Sequence, residues 1–150
     1  MQKDKVLIRE GHPADAGGIA EIEALCFAHP WSEADLLGGF DNFTRYVVAE
    51  MDGEILGYCG IQVVGGEGYI TNVAVKPQHR KQGIGIKILE FLLNFSRTEG
   101  LEFVTLEVRE SNLPAINLYK KMGFGEVGKR PNFYRDPKED ALLLTRFFNR

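Results

Sequence analysis

The stretch that decides the fold is residues 73–86, which read VAVKPQHRKQGIGI. It begins as a short apolar run of β-type residues and passes through a basic loop broken by Pro77. It then reaches Gly83 and Gly85, where an amphipathic helical pattern starts. The first N–H groups of a helix lack intrahelical partners, and the helix dipole adds partial positive charge there. Because glycine lets the backbone approach a phosphate closely, the stretch predicts a loop that holds a pyrophosphate.

The residues around the glycines exclude two other phosphate-binding loops. A Walker loop needs Lys followed by Ser or Thr after its second glycine, and neither pair is present. A dinucleotide fingerprint needs a third glycine where Lys87 and Ile88 stand. A plain strand-to-helix turn, in which the glycines serve only the geometry, stays open as the alternative.

Three β-rich segments precede the loop, at residues 46–51, 55–64 and 69–75. Asp52-Gly53 and the glycines of residues 65–68 mark tight turns between them, so the three strands are predicted to be antiparallel.

The N-terminal part of the chain has the marks of one short strand and two helices. Residues 6–8 are a strand candidate, and residues 12–15 read as a helix start with a proline in the first turn. Ser32 and Asp35 resemble a capping box that opens a second helix, which is predicted to end at Gly38-Gly39.

Downstream of the loop, an amphipathic helix is predicted to run to about Gly100. The strand at residues 103–108 follows a helix that crosses back, so it should lie parallel to the strand ending at Val75. A further helix is expected between Asn112 and Gly123.

The last segments complete an α+β fold around a mixed, mostly antiparallel sheet with one parallel pair. Strands are predicted at residues 124–127 and 141–147, separated by a polar segment at 131–140. The sequence shows no internal repeat and no change in composition along the chain, so residues 1–150 are expected to form a single domain.

Composition limits the function classes. The chain has 150 residues, of which 44% are hydrophobic and 26% charged, and a formal net charge of −3, which argues against nucleic-acid binding. The first residues lack a signal-peptide core, and no apolar run reaches membrane-spanning length, so a cytoplasmic protein without a membrane partner is expected. Two cysteines and three scattered histidines form no ligand pattern, and no metal site is predicted.

Two side chains on the second-half helix share one face. Asn112 and Tyr119 are two helical turns apart, roughly 10 Å along the axis. Tyr119 could present its hydroxyl to a ligand or be an ordinary core tyrosine. Asn112 could be only the N-cap of the helix, and the two roles could coexist.

Glu107 stands near the end of an otherwise apolar strand. It is either solvated on an exposed face or placed beside a cleft, since ligands tend to bind beyond the carboxyl ends of parallel strands. The aromatics Trp31, Phe133 and Tyr134 lie in predicted connections, where they could line a substrate site or close over a core edge.

Taken together, these motifs resemble the GCN5-related N-acetyltransferase (GNAT) superfamily and, within it, the RimI type, whose members acetylate the N-terminal alanine of a small-subunit ribosomal protein. The resemblance rests on Pro30-Trp31-Ser32, residues 72–75, the Arg-x-x-Gly-x-Gly loop from Arg80, residues 106–109, Ser111-Asn112, Leu118-Tyr119 with Gly123-Phe124, and residues 130–134 with 139–141.

The resemblance implies a GNAT-type fold, acetyl-CoA as cosubstrate without a metal, and a protein N-terminus as acceptor. It implies that Glu107 is the proton acceptor and Tyr119 the proton donor. For the cofactor, it implies main-chain binding of the acetyl group and pantetheine by Val73, Ala74 and Val75, a contact with Asn112, and binding of the pyrophosphate by Lys81, Gln82, Gly83, Ile84, Gly85 and Ile86. For the acceptor, it implies a peptide entrance lined by Trp31, Arg130 and Tyr134.

Two positions depart from the pattern of this type. Phe133 stands where the first of two tyrosines is frequent, which removes a hydroxyl that could bond the substrate backbone. Ile86 replaces a frequent basic residue after the second glycine, so one phosphate contact would come from a backbone N–H alone.

The implied chemistry agrees with the residues. An α-amine with a pKa near 8 is roughly 10% neutral at pH 7, whereas a lysine near 10.4 is below about 0.1%, so a carboxylate acting through water is a sufficient base for the former. Attack of the amine on the thioester gives a tetrahedral oxyanion, which main-chain N–H groups near Val75 could stabilise. The alternatives are an acetyltransferase of the same fold acting on a small amine or a lysine, and a non-catalytic acyl-CoA-binding module.

Overall fold

The computed structural model describes residues 5–40 and 43–148. Within them, seven strands form one sheet with the spatial order β1-β2-β3-β4-β5-β7-β6. Neighbouring strands are antiparallel except for the parallel pair β4 and β5, as the sequence predicts. The strands are β1 (Leu7–Glu10), β2 (Thr44–Met51), β3 (Glu54–Val64), β4 (Glu67–Val75), β5 (Phe103–Arg109), β6 (Gly125–Tyr134) and β7 (Glu139–Phe147).

Helices cover both faces of the sheet. Helices α1 and α2 bury Ile19, Ile22 and Leu36 on one face, and α3 and α4 bury Ile88, Leu92 and Ile116 on the other. The described helices are α1 (Ala16–Cys26), α2 (Glu33–Phe40), α3 (Ile84–Thr98) and α4 (Leu113–Lys121), with 3₁₀ turns at Pro13–Asp15 and Pro77–His79. In the described ranges, no helix is both long and apolar enough to cross a bilayer.

The capping box predicted for α2 is present. The main-chain N–H of Asp35 donates to the Ser32 hydroxyl, and the N–H of Ser32 donates to the Asp35 carboxylate, both at 3.1 Å. The predicted end at Gly38-Gly39 is too early, because α2 continues to Phe40. The ring of Phe40 packs against that of Tyr46 at 4.8 Å, which anchors the last turn on the sheet.

The prediction of a polar connection at residues 131–140 is wrong. Strand β6 runs on to Tyr134 and β7 begins at Glu139, so only a short turn separates them. Hydrophobic alternation misses this part of β6 because the strand is at the edge of the sheet and mostly exposed. Cross-strand polar bonds replace burial there, such as that from the N–H of Asn132 to the Asp140 carboxylate at 2.8 Å.

A bulge in β4 opens the sheet. Gly60 pairs with Asn72 and Ile61 with Ile70, so Thr71 is an extra residue without a partner on β3. Strand β4 pairs with β5 only from Glu67 to Tyr69, and beyond that point β4 stays with β3 while β5 stays with β7. The second half of β4 therefore has a free edge that faces a gap in the sheet.

Candidate active site

A cleft of about 580 Å³ occupies the gap between β4 and β5. Its walls come from the loop between α1 and α2, from both strands, from α4, and from the turn between β6 and β7. Six of the residues predicted from the sequence line it, namely Trp31, Val73, Glu107, Asn112, Tyr119 and Tyr134.

Glu107 is held by two neighbours. Its side chain is only 6% exposed, although its position in the sequence also suited a solvated face. The hydroxyl of Tyr69 donates to Oε1, and Nε of Arg130 lies 2.8 Å from Oε2. The carboxylate therefore has a defined orientation at the wall of the cleft.

Tyr119 reaches the cleft from the opposite face of β5. It belongs to the core formed with α3 and α4, to which Leu106 and Val108 also contribute, whereas Glu107 alternates to the other face. The ring packs edge-on against Phe124, with centroids 5.6 Å apart. Burial raises the pKa of the Tyr119 hydroxyl above its ordinary value, and the nearby Cys59 adds to the shift. The phenol is protonated at neutral pH, as it would be at its ordinary pKa.

The loop before α3 has the geometry of an anion site. Gly83 is the N-cap residue with φ of 80°, and no side chain caps the helix, so the N–H groups of the first turn are left for a ligand. Lys81 also has positive φ, at 64°. A Cβ on Gly85 would meet only a methyl group of Val75 at 3.9 Å, so the space above the first turn is open on the protein side.

Residues Val73, Ala74 and Val75 form the free edge of β4, because β3 pairs with them on one side only. One polar group of this edge is already occupied. The carbonyl oxygen of Val75 accepts from Nε of Arg80 at 3.0 Å and from Sγ of Cys26 at 3.6 Å. This bond ties the end of the strand to the start of the anion loop.

Asn112 is the N-cap of α4, one of the two roles that the sequence left open. Its Oδ1 accepts from the N–H of Ala115 at 3.3 Å. The side chain also lines the cleft, so the capping role does not remove it from the site.

Two aromatic side chains line the cleft from different segments of the chain. Trp31 lies on the loop between α1 and α2 and Tyr134 at the end of β6. The guanidinium of Arg109 stacks on the Tyr134 ring at 4.4 Å and bonds the carbonyls of Arg135 and Pro137, which fixes the β6–β7 turn. Burial, followed by the charge of Glu107, raises the pKa of Tyr134 to about 12.

Arg130 is placed differently from the other entrance residues. It is absent from the cleft lining, and its guanidinium is ion-paired with Glu107 from a largely exposed position on β6. Its contact is thus with the candidate base.

A match to known sequences identifies the family of this chain. Residues 17–124 match the Acetyltransferase (GNAT) family, and this range contains the anion loop, Glu107 and Tyr119. The chain belongs to the GNAT family. It is an N-acetyltransferase, and the family uses acetyl-CoA.

Known proteins similar to this GNAT enzyme match it over most of the chain. A Bacillus subtilis (strain 168) protein, provisionally named a ribosomal protein bS18-alanine N-acetyltransferase, is 37% identical over 144 residues, 95% of each chain. The Escherichia coli (strain K12) ribosomal protein bS18-alanine N-acetyltransferase is 35% identical over 127 residues, 82% of this chain and 84% of that protein. The crystal structure of the Escherichia coli ribosomal-protein-S18-alanine N-acetyltransferase superposes with a TM-score of 0.88 and 31% identity, covering 95% of this chain and 93% of that chain.

Two cleft residues of this GNAT enzyme escaped the sequence reasoning. Tyr69 bonds Glu107, but only the fold reveals that β4 and β5 bring them together. Glu23 is a buried carboxylate in α1. A signal for it existed, because it follows Ile19 by four residues and so falls within the apolar stripe of that helix.

Proposed function

We propose that this GNAT enzyme acetylates the α-amine at the N-terminus of a protein, with an N-terminal alanine of a ribosomal protein as its substrate. The transfer would be direct, with acetyl-CoA and the acceptor bound together in the cleft. The observation that carries the proposal is that Glu107 and Tyr119 line one cleft from opposite faces of β5. Support for the acceptor comes from the names of the relatives that match this chain over most of its length. Such a substrate implies a cytoplasmic enzyme.

The acetyl donor would bind along the gap in the sheet. The free edge of β4 at Val73, Ala74 and Val75 offers main-chain groups to the acetyl and pantetheine parts, as an added strand would. The uncapped first turn of α3 and its loop would hold the pyrophosphate through N–H groups, using Lys81, Gln82, Gly83, Ile84, Gly85 and Ile86. Asn112 would contact the donor from the start of α4. Bound there, acetyl-CoA supplies an activated thioester.

Glu107 would accept the proton that the acceptor amine loses. The Tyr69 hydroxyl, which donates to Glu107, would offer a route for this proton, since its oxygen can accept one proton while its own passes to Glu107. A main-chain N–H near Val75 would stabilise the negative charge that develops on the thioester oxygen. Tyr119, a neutral phenol at pH 7, would give its proton to the departing thiolate.

The entrance would accept an extended peptide between Trp31 and Tyr134. Arg130 would contribute to this entrance through its ion pair with Glu107, close to the point where the α-amine enters. An acetyltransferase for a small amine or a lysine is the nearer alternative. A non-catalytic acyl-CoA-binding module is disfavoured because such a module needs neither Glu107 nor Tyr119.

The test is to supply the enzyme with acetyl-CoA and two synthetic peptides. One begins with a free alanine and contains no lysine; the other carries a blocked N-terminus and contains lysine. Tandem mass spectrometry should find the acetyl group on the α-amine of the first peptide and little product from the second. A reaction without enzyme serves as the control for uncatalysed transfer. Preference for the blocked peptide would contradict the proposal.

A further inference from the structure

Glu23 is a buried carboxylate in an unfavourable position. It lies in the last turn of α1, at the negative end of the helix dipole, and it is 1% exposed. Its side chain nevertheless borders the cleft. A carboxylate in such a place needs donors that offset the loss of water.

Three donors converge on this carboxylate. The main-chain N–H of Trp31 donates to Oε1 at 2.9 Å, while Nδ2 of Asn72, at 3.1 Å, and the hydroxyl of Tyr58 both donate to Oε2. The donors belong to the α1–α2 loop, to β4 and to β3 respectively. The side chain of Glu23 thus connects the loop that carries Trp31 to strands β3 and β4.

The three donors do not depend on Glu23 equally. Tyr58 and Asn72 sit in strands whose backbone pairing fixes them, with Tyr58 opposite Ala74 and Asn72 opposite Gly60. Trp31 lies between α1 and α2, outside both helices. The loop has no such ladder: the main-chain bond from Trp31 to Glu23 holds its inner side, and an exposed contact of His29 with Asp136 at 3.1 Å ties its outer side to the β6–β7 turn.

We infer that Glu23 is a positioning residue for the acceptor: it holds the loop that carries Trp31 against β4 and so sets the width of the acceptor side of the cleft. The inference rests on the proposed function in taking a peptide N-terminus as the acceptor. It predicts that loss of the Glu23–Trp31 bond weakens peptide binding while the binding of acetyl-CoA along the free edge of β4 is kept.

Two variants remove the bond to different degrees. In Glu23→Gln the amide has one accepting oxygen where the carboxylate has two, and two of the three donors converge at Oε2. The amide nitrogen is then left facing the N–H of Trp31. Glu23→Met keeps the length of the side chain and accepts from none of the donors. The matched control is Tyr58→Phe, which removes a donor from the same buried carboxylate and leaves the bond to Trp31.

The chain contains one tryptophan, so intrinsic fluorescence reports on Trp31 directly. In folded Glu23→Gln, the emission should shift to longer wavelength and acrylamide quenching should increase. The KM for the peptide should rise about tenfold, the loss expected for one hydrogen bond to a charged group, and more in Glu23→Met. The Kd for acetyl-CoA should stay within about twofold. Tyr58→Phe should change none of these quantities by more than about twofold.

Unchanged fluorescence and peptide KM in Glu23→Gln would overturn the inference, as would equal effects of Tyr58→Phe. If neither Glu23 variant folds, hydrogen exchange in the unaltered enzyme decides: the Trp31 amide should exchange much more slowly than those of Ala28 and His29 in the same loop, and equal rates would refute the bond. A failure of the proposed function is seen separately, because the unaltered enzyme would then not acetylate the α-amine of the peptide, whatever the fluorescence shows.

Discussion

Glu107 shows how strongly the neighbours of a side chain decide its role. In the sequence it could be a solvated carboxylate between Leu106 and Val108. In the folded chain Tyr69 and Arg130 enclose it at the wall of the cleft, so solvent has little access to the carboxylate. An enclosed and oriented carboxylate is suited to accept a proton from a substrate that enters the same cleft.

Glu107→Gln tests this role through its pH dependence. Below neutral pH the variant should lose most of its activity, because the acceptor amine is then largely protonated and the amide cannot accept its proton. At high pH the amine is neutral without help, so the activity should recover in part. The measurement is kcat/KM for the alanine peptide between pH 6 and pH 10.

A second variant and a contradicting outcome complete this experiment. Tyr69→Phe leaves the carboxylate and removes the hydroxyl next to it, so a smaller loss with the same pH trend is expected. A loss in Glu107→Gln that is equal at every pH would indicate a structural role for the residue instead.

Tyr119→Phe separates proton donation from packing. The ring contact with Phe124 is kept, so the variant should fold and bind acetyl-CoA with nearly unchanged affinity. Turnover should fall by at least about tenfold, a modest share of what general acid catalysis contributes. Steady-state kinetics and calorimetric titration of acetyl-CoA measure the two quantities. Unchanged turnover would exclude Tyr119 as the acid.

The loop before α3 uses its two glycines for different reasons. Gly83 has φ of 80°, a conformation that side chains with a Cβ disfavour, whereas nothing lies within 4 Å of the space above it. Gly85 is inside the first turn, where alanine would be accepted by the helix. Local conformation explains the first glycine, and the approach of a phosphate group at the proposed site would explain the second.

Alanine substitutions at these two positions should therefore behave differently. Gly83→Ala should lower stability by about 1 kcal/mol through backbone strain and also weaken acetyl-CoA binding. Gly85→Ala should keep or raise the melting temperature, because alanine favours the helix, and should weaken acetyl-CoA binding by placing a methyl group in the anion site. Thermal denaturation and titration of acetyl-CoA distinguish the two. Intact affinity in Gly85→Ala would contradict the proposed pyrophosphate site.

The joint between β1 and α1 depends on an ion pair. Two nitrogens of Arg9 donate to the two oxygens of Asp15 at 2.8 and 2.9 Å, and Nε of Arg9 bonds Glu50 on β2. The bonds from Arg9 hold the pKa of the buried Asp15 below its ordinary value, and the N–H of His12 contributes to the same shift. This joint fixes the start of the helix that carries Glu23.

A lowered pKa in the folded state stabilises the protein only while the carboxyl is ionised. The contribution of Asp15 is thus fully present above about pH 4 and is lost as the pH falls through its folded pKa. Asp15→Asn should lower stability at pH 7 by about 2 kcal/mol, or about 5 °C in melting temperature. The difference from the unaltered protein should shrink below about pH 4 in calorimetric melts; a constant difference would show that charge is not involved.

The whole sheet explains why its parts were predictable and the cleft was not. Strands β2 to β4, the turns between them and the helix that follows are encoded by local patterns of period two and 3.6, together with glycine at the turns. These patterns also support the α+β class and the parallel pair. The bulge at Thr71 has no such local pattern, because it exists only in the register between two strands.

Contacts across the molecule are hidden from the sequence for the same reason. The bond from Tyr69 to Glu107 spans 38 positions and that from Asn72 to Glu23 spans 49. The second half of β6, predicted as part of a polar connection, is stabilised by bonds to β7 and not by burial. Neither local propensity nor hydrophobic period carries information on such pairs.

Residues 73–86 by themselves determine a strand, a loop with Gly83 in a left-handed conformation, and an uncapped helix start, since each depends on neighbours in the chain. Resemblance in the sequence also indicates the family. The tertiary structure alone decides that β4 leaves β5 after Tyr69 and that the cleft so formed collects Glu23, Glu107 and Tyr119. These groups come from a helix before the sheet, a central strand and a later helix, and only the pairing register and the packing of helices on both faces bring them within reach of one ligand.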